Sequence, residues 1–176
     1  MACYYINTEN LNDFIYKLSV GDRVYLSGVV YTARDAAHSK MFQLLENNDN
    51  LPFDIDGSVI YYAGPSPTKD DGHIGSFGPT TSSRMDAFSP RLLDLGLKAM
   101  IGKGNRNSDV IDAVKRNKAV YFCAGGGFGA LISKSVISSE VIAFPELGCE
   151  SIKKLLIKDM PLITAIDSSG NSVFGR

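Results

Sequence analysis

Three short stretches of this chain carry side chains that could act on a small anion. In Thr32-Ala33-Arg34-Asp35-Ala36-Ala37-His38 an arginine, a carboxylate and an imidazole lie close together. Arg34 offers a planar fork of donors matched to a carboxylate, where a lysine would supply only a point charge. Taken alone, the stretch also admits pairing of Arg34 with Asp35 or Asp22, and His38 by itself reads first as packing on a helix face. In Gly78-Pro79-Thr80-Thr81-Ser82-Ser83-Arg84-Met85-Asp86 a run of hydroxyls sits between Gly-Pro and an arginine. Hydroxyls, a cation and free amides at the start of a helix suit a small anion. Thr and Ser before a helix also suit an N-cap. A threonine hydroxyl is a poor base by itself and needs a neighbouring cation or metal to favour its alkoxide. The third stretch, Ile101-Gly102-Lys103-Gly104-Asn105, frames one lysine with glycines. It reads as an unobstructed ammonium beside a ligand or as a tight turn with a solvated side chain.

Other candidates are weaker. Ala124-Gly125-Gly126-Gly127-Phe128-Gly129-Ala130 follows an apolar run, but the glycine spacing has no partner acid for a dinucleotide. The Lys103 stretch lacks the spacing of a phosphate-cradling Walker loop. His73 reads as a substrate contact or a solvated loop residue. Cys3, Cys123 and Cys149 have no clustered His or Lys to activate a thiolate.

The elements that must hold these residues follow from periodicity. Arg23 to Tyr31 is rich in β-branched and aromatic residues and reads as a strand. Asp35 to Leu45 has helical spacing, with Asp35 as cap or first-turn acid. Ser58 to Ala63 is a buried-type strand that stops at Gly64-Pro65. Leu92 to Leu97 reads as helix, Lys98 to Ile101 as strand, and Asp109 to Arg116 as amphipathic helix capped by Ser108. Ala119 to Cys123 and Ser135 to Phe144 read as strands, and Gly148 to Leu156 as a short helix. Met160 to Ile166 and Ser172 to Phe174 form a terminal hairpin-like pair. This alternation predicts a layered α/β domain with partly parallel strands. The stretch from Gly64 to Arg84, stiffened by Pro65, Pro67 and Pro79, fits no regular element, and loops of that length are usually functional or disordered.

Length and charge narrow the function classes. The chain has 176 residues, the size of one domain, so residues 1–176 are read as a single unit. Eighteen Lys+Arg against nineteen Asp+Glu leave a net charge of -1, which gives no global attraction to nucleic acid or an anionic membrane. No apolar run reaches the ~20 residues of a membrane helix, and the first twenty residues are too polar for a signal peptide. The cytoplasm is the default compartment. Three widely spaced cysteines exclude a disulfide scaffold and, within this chain, a zinc ribbon or a complete cysteine-ligated cluster.

Three cations and several hydroxyls suit a small di-acid better than a nucleotide. No complete base, nucleophile dyad or metal ligand set accompanies them, so the residues describe half of a site. A catalytic subunit of a larger enzyme, a non-catalytic dicarboxylate-binding or assembly module, and a phosphate-binding enzyme using the Gly125–Gly129 turn all remain open on residues alone.

TARDAAH at Thr32 to His38, GPTTSSRMD at Gly78 to Asp86, GKG at Gly102 to Gly104 and IYYAGP at Ile60 to Pro65 resemble the β subunit of the iron–sulfur-dependent fumarate/tartrate hydro-lyases. That subunit corresponds to the C-terminal domain of single-chain class I fumarases. The likeness is co-linear from about Asp13 to Gly170. It implies a swivelling β/β/α-type domain with a mixed sheet, docked on a larger α subunit that carries a [4Fe–4S] cluster, with no cofactor bound by this chain alone. A pairing of two such heterodimers is compatible with it. It also implies that Arg34 and Arg84 grip substrate carboxylates, with Thr81 and Gly78 beside them. Thr80 becomes the base, Lys103 the cation next to it, and Asp35 and His38 members of the same pocket. The open iron of the partner acts as Lewis acid on the departing hydroxyl. Ser82-Ser83, where the family commonly has small residues, leaves open whether the diacid is malate/fumarate or tartrate/oxaloacetate.

Overall fold

The computed structural model describes residues 1–65, 77–125 and 129–175. Strands β1 (Cys3–Asn7), β2 (Arg23–Thr32), β3 (Val59–Tyr61), β4 (Ala99–Gly102) and β5 (Val120–Cys123) run parallel in that order. β6 (Val136–Ala143) and the long β7 (Ile152–Ile166) run antiparallel to each other, and β7 is also antiparallel to β2 and β5. Because β7 pairs with β2 along most of its length and then with β5, the ladder β2–β3–β4–β5–β7 closes on itself. Closure hides sheet edges that would otherwise expose unpaired amides.

The helices are α1 (Leu11–Phe14), α2 (Asp35–Glu46), α3 (Ser89–Asp94), α4 (Ser108–Arg116) and α5 (Gly129–Ser135). Alternate residues of the central strands feed two separate cores, as the period of two requires. Val59, Tyr61, Ala99, Ile101, Val120 and Phe122 face Leu26, Val30, Leu155 and Ile157 between the two sheet layers. Ile60, Tyr62, Met100 and Tyr121 face Met41 of α2, Leu92 of α3 and Val110 of α4. The result is a sheet–sheet–helix layering with a seven-stranded mixed sheet.

Most expected elements form within a residue or two of their expected ends, the helix expected over Leu92–Leu97 forms earlier as α3, and three further expectations change. The segment Gly148 to Leu156 is not a helix: Pro145–Glu150 is a 3-10 turn and Ile152 opens β7. Ile152, Leu155 and Leu156 have helical spacing, but pairing with β2 on one side and β6 on the other overrides local propensity. Ser108 is the first helical residue of α4, and Asn107 is the cap, its Oδ1 accepting from Val110 N at 3.0 Å. The terminal pair shrinks to one bridge between Ile166 and Ser172. Its turn is held by Asp167, whose Oδ1 accepts from Ser169 N and Asn171 N. β1, α1 and α5 lie outside the sequence-based expectation. β1 is an edge strand with its Tyr5 68 % exposed, so it lacks the apolar run that marks a buried strand.

Candidate functional site

Ligands of parallel α/β sheets bind where strands end, because several carboxyl ends converge there. Here those of β2, β3 and β4 lead to the three singled-out stretches. β3 and β4 pair as far as Tyr61–Ile101, and the segment that starts at Pro79 then enters between their exits. Pro79 bridges Ala63, and Thr80 N donates to Tyr62 O at 2.8 Å. On the other side Thr81 bridges Lys103, and Ser82 N donates to Lys103 O at 3.0 Å. The hydroxyl run is therefore stitched to β3 and β4 at once, and Lys103 is its direct neighbour. Thr80 is half-buried, whereas Gly78, Thr81 and Lys103 are exposed. Lys103 Nζ has no hydrogen bond or ion pair among the described residues.

Gly102 is glycine for a steric reason: a Cβ there would stand 1.9 Å from Ser82 Oγ and 3.0 Å from the Tyr62 ring. Gly64 serves Arg34 in the same way. A Cβ on Gly64 would meet Arg34 Nη1 at 2.8 Å and Arg34 Cδ at 3.0 Å, so the Gly of IYYAGP is the bed on which Arg34 lies. Arg34 precedes α2 and faces Glu150, with Nε 3.8 Å from the carboxylate, an ion pair too long for a hydrogen bond. Arg84 Nε donates to Asp35 Oδ1 at 3.1 Å, which joins the second stretch to the first. Arg34, Asp35, Thr80, Thr81, Arg84 and Lys103 are thus linked by contacts at one end of the sheet.

Buried polar atoms normally have partners, and an unpaired one costs about 1–3 kcal/mol. Among the described residues the buried side-chain atoms without a hydrogen bond are Arg34 Nε, Asp35 Oδ2, His38 Nε2 and Thr164 Oγ1. Three of these four lie in the Arg34–His38 stretch, so under-satisfaction concentrates there.

His38 is fully buried against the rings of Tyr62 and Phe88. Its Nδ1 lies 2.8 Å from Arg34 O, which can only accept, so Nδ1 carries the proton and Nε2 is a bare acceptor. Burial pushes its pKa down to about 4, so the ring is neutral near pH 7. His38 therefore reaches the site through the main chain of Arg34.

Sequence reasoning overlooked a second polar centre beneath the site. Arg106 is 3 % exposed and donates from Nε to Asp86 Oδ1 at 2.6 Å and from Nη2 to Ser89 Oγ at 2.6 Å. Its guanidinium lies over the Tyr62 and Tyr121 rings at 5.2 and 5.0 Å. Asp86 Oδ2 accepts from Asn107 N at 2.8 Å. This clasp ties the end of the hydroxyl stretch to the loop after Lys103. The aspartate of RMD was its one visible trace in the sequence, and the matching arginine twenty residues on carried no local signal. Glu150 was also overlooked, because it lies in the turn expected to be helical. Lys153 holds that turn, donating from Nζ to Ser151 Oγ at 2.7 Å and to Gly148 O at 3.2 Å.

His73 and Gly126, Gly127 and Phe128 of the glycine run lie outside the described residues. Among the described residues no group of three His, Cys, Asp or Glu side chains could hold a metal ion. Cys3 is on β1, Cys123 ends β5 and Cys149 is in the 3-10 turn, and the three thiols form no such group. No helix among the described residues is long and apolar enough to cross a membrane.

Cations and hydroxyls thus lie close together at the carboxyl ends of parallel strands on a β/β/α-layered scaffold. The family model described as Fumarase C-terminus matches residues 4–176, and the chain belongs to that family. It is 41% identical over 166 residues to a Methanocaldococcus jannaschii protein named "Putative L(+)-tartrate dehydratase subunit beta", covering 91% of this chain and 85% of that one. It is 33% identical over 176 residues to the L(+)-tartrate dehydratase subunit beta of Escherichia coli, covering 97% and 84%. It is 38% identical over 157 residues to the aerobic class I fumarate hydratase of Escherichia coli. That match covers 88% of this chain but 29% of the relative, so the chain spans under a third of that fumarate hydratase.

Proposed function

We propose that this chain is the β subunit of a hydro-lyase that reversibly removes water from a 2-hydroxy dicarboxylate, malate/fumarate or tartrate/oxaloacetate. Arg34 and Arg84 bind the two carboxylates as charge-assisted pairs. Thr80 Oγ1 takes the proton from the carbon next to one of them. Lys103, held beside Thr81, stabilises the alkoxide that does so. Asp35 orients Arg84, and His38 orients Arg34 through its carbonyl. A carbon acid next to an ionised carboxylate is very weak, so preorganised positive charge at the carboxylate is the largest help this chain can give. Thr81 Oγ1 and the main chain at Gly78 complete the polar wall.

The residues described here do not fit a metal cluster. In this reading the [4Fe–4S] group belongs to an α subunit. The β-subunit names of two relatives support such a partner.

The observation that carries the reading is the stitching of Thr80–Thr81 to Lys103 on one side and, through Arg84–Asp35, to Arg34 on the other. Replacing Thr80 by Ala in the complex with the α subunit tests it. Turnover is expected to fall about 10²–10⁴-fold, the usual contribution of a positioned proton acceptor, while complex formation and diacid binding persist. Unchanged turnover would remove Thr80 from the chemistry and leave a dicarboxylate-binding subunit.

A further inference from the structure

Lys103 presents an ammonium that nothing in the described chain holds, so where it points depends on its main-chain turn. That turn is pinned from below by a hydrogen-bond circuit whose direction the donor inventory determines. Tyr121 Oη lies 2.9 Å from Gly104 O and 2.9 Å from Ser82 Oγ. A carbonyl can only accept, so the one phenolic proton goes to Gly104 O. At the other contact Tyr121 must then accept, which makes Ser82 the donor. Ser82 Oγ keeps a lone pair for Lys103 N, which donates to it at 3.0 Å. The circuit runs from the Lys103 amide through Ser82 and Tyr121 back to the Gly104 carbonyl, and so closes on the same turn.

Its members are built for this. Ser82 is fully buried and fits only because Gly102 has no Cβ. Tyr121 is fully buried, and the Arg106 guanidinium stacks on its ring. The Cys123 thiol beside Tyr121 and the Gly104 main chain is a weak partner, kept protonated by burial.

We propose that Tyr121, a core residue of β5, is a positioning residue for Lys103 and for the neighbouring Thr80–Thr81 segment, acting through Ser82 and Gly104. The proposal rests on the hydro-lyase reading and adds to it a residue that never touches substrate. Proton transfer is sensitive to misplacements of an ångström or less, which can cost about 10²-fold in rate.

Tyr121→Phe keeps the ring and its stacking and deletes only the hydroxyl. In the complex with the α subunit, kcat for the diacid is expected to fall about 10- to 100-fold with KM changed less than about twofold, since Arg34 and Arg84 lie outside the circuit. Ser82→Ala should give the same split, and the double variant should lose little more than either single one, because both break one circuit. Hydrogen exchange of the Lys103–Gly104 peptide in the complex should quicken in each. Wild-type kcat in Tyr121→Phe, full additivity of the pair, or a rise in KM matching the fall in kcat would each overturn the proposal. If Tyr121→Phe does not assemble with the α subunit, Ser82→Ala carries the same kinetic reading. If the wild-type complex turns over no diacid, the hydro-lyase reading fails by itself, and the exchange rates still decide whether Tyr121 pins the turn; unchanged exchange would sink the pinning as well.

Discussion

The two sides of the site are built in opposite ways. On the Lys103 side, Ser82, Tyr121, Arg106, Asp86 and Ser89 form a buried, satisfied network beneath the loop. On the arginine side, Arg84 is 53 % exposed in its side chain and Arg34 faces Glu150 across 3.8 Å, with three buried atoms of the Arg34–His38 stretch lacking a hydrogen bond among the described residues. The difference follows from the tasks proposed for them. A proton acceptor and its cation must be held rigidly, whereas carboxylate-binding groups already saturated by the protein would have nothing to offer a ligand. The satisfied side is a source of stability, and the open side carries the cost of buried polar atoms left without a hydrogen bond.

Breaking the network should therefore cost far more stability than breaking the arginine side. Asp86→Ala leaves the Arg106 guanidinium buried without its carboxylate, and urea unfolding should show a loss of about 3–5 kcal/mol. A loss below about 1 kcal/mol would mean that water enters and replaces the pair. Next comes the His38 ring. Its folded pKa of about 4 lies below its ordinary 6.5, so the unfolded chain binds the extra proton first on acidification. Stability from this group is full above about pH 6.5 and is lost as pH falls toward 4, by on the order of 3 kcal/mol. His38→Gln should remove that slope from the pH profile of unfolding between those values, and an unaltered slope would assign it to other groups. The smallest stability change belongs to Arg84→Ala, which breaks an exposed ion pair worth less than about 1 kcal/mol. The same change should weaken diacid binding to the complex about 10- to 100-fold, the value of a charge-assisted hydrogen bond, as isothermal titration would read. Equal effects of Asp86→Ala and Arg84→Ala on unfolding would erase the contrast between the two sides.

How much of this was legible beforehand varied with the range of the signal. β2, α2, β4, α4 and β5 were readable because their periodicity is local and strong. β7 was not, since Ile152, Leu155 and Leu156 have helical spacing and only pairing with β2 and β6 makes them strand. The residues Arg34, Thr80, Arg84 and Lys103 were visible as stretches, each with a plain structural alternative. Arg106 and Glu150 were not visible, since a buried or site-facing charge is recognisable only beside its partner.

Residue order and chemistry alone settled the inventory: which cations, hydroxyls and glycines exist, that strands alternate with helices, and which family motifs the chain resembles. Those are properties of short windows, where side-chain type and spacing act directly. Convergence was decided only in three dimensions, when closure of the ladder by β7 and entry of Pro79–Ser82 between β3 and β4 brought distant windows together. The physical reason is range. Periodicity reports a residue's own element, but a hydrogen bond such as Tyr121 to Ser82 spans 39 positions and has no local trace.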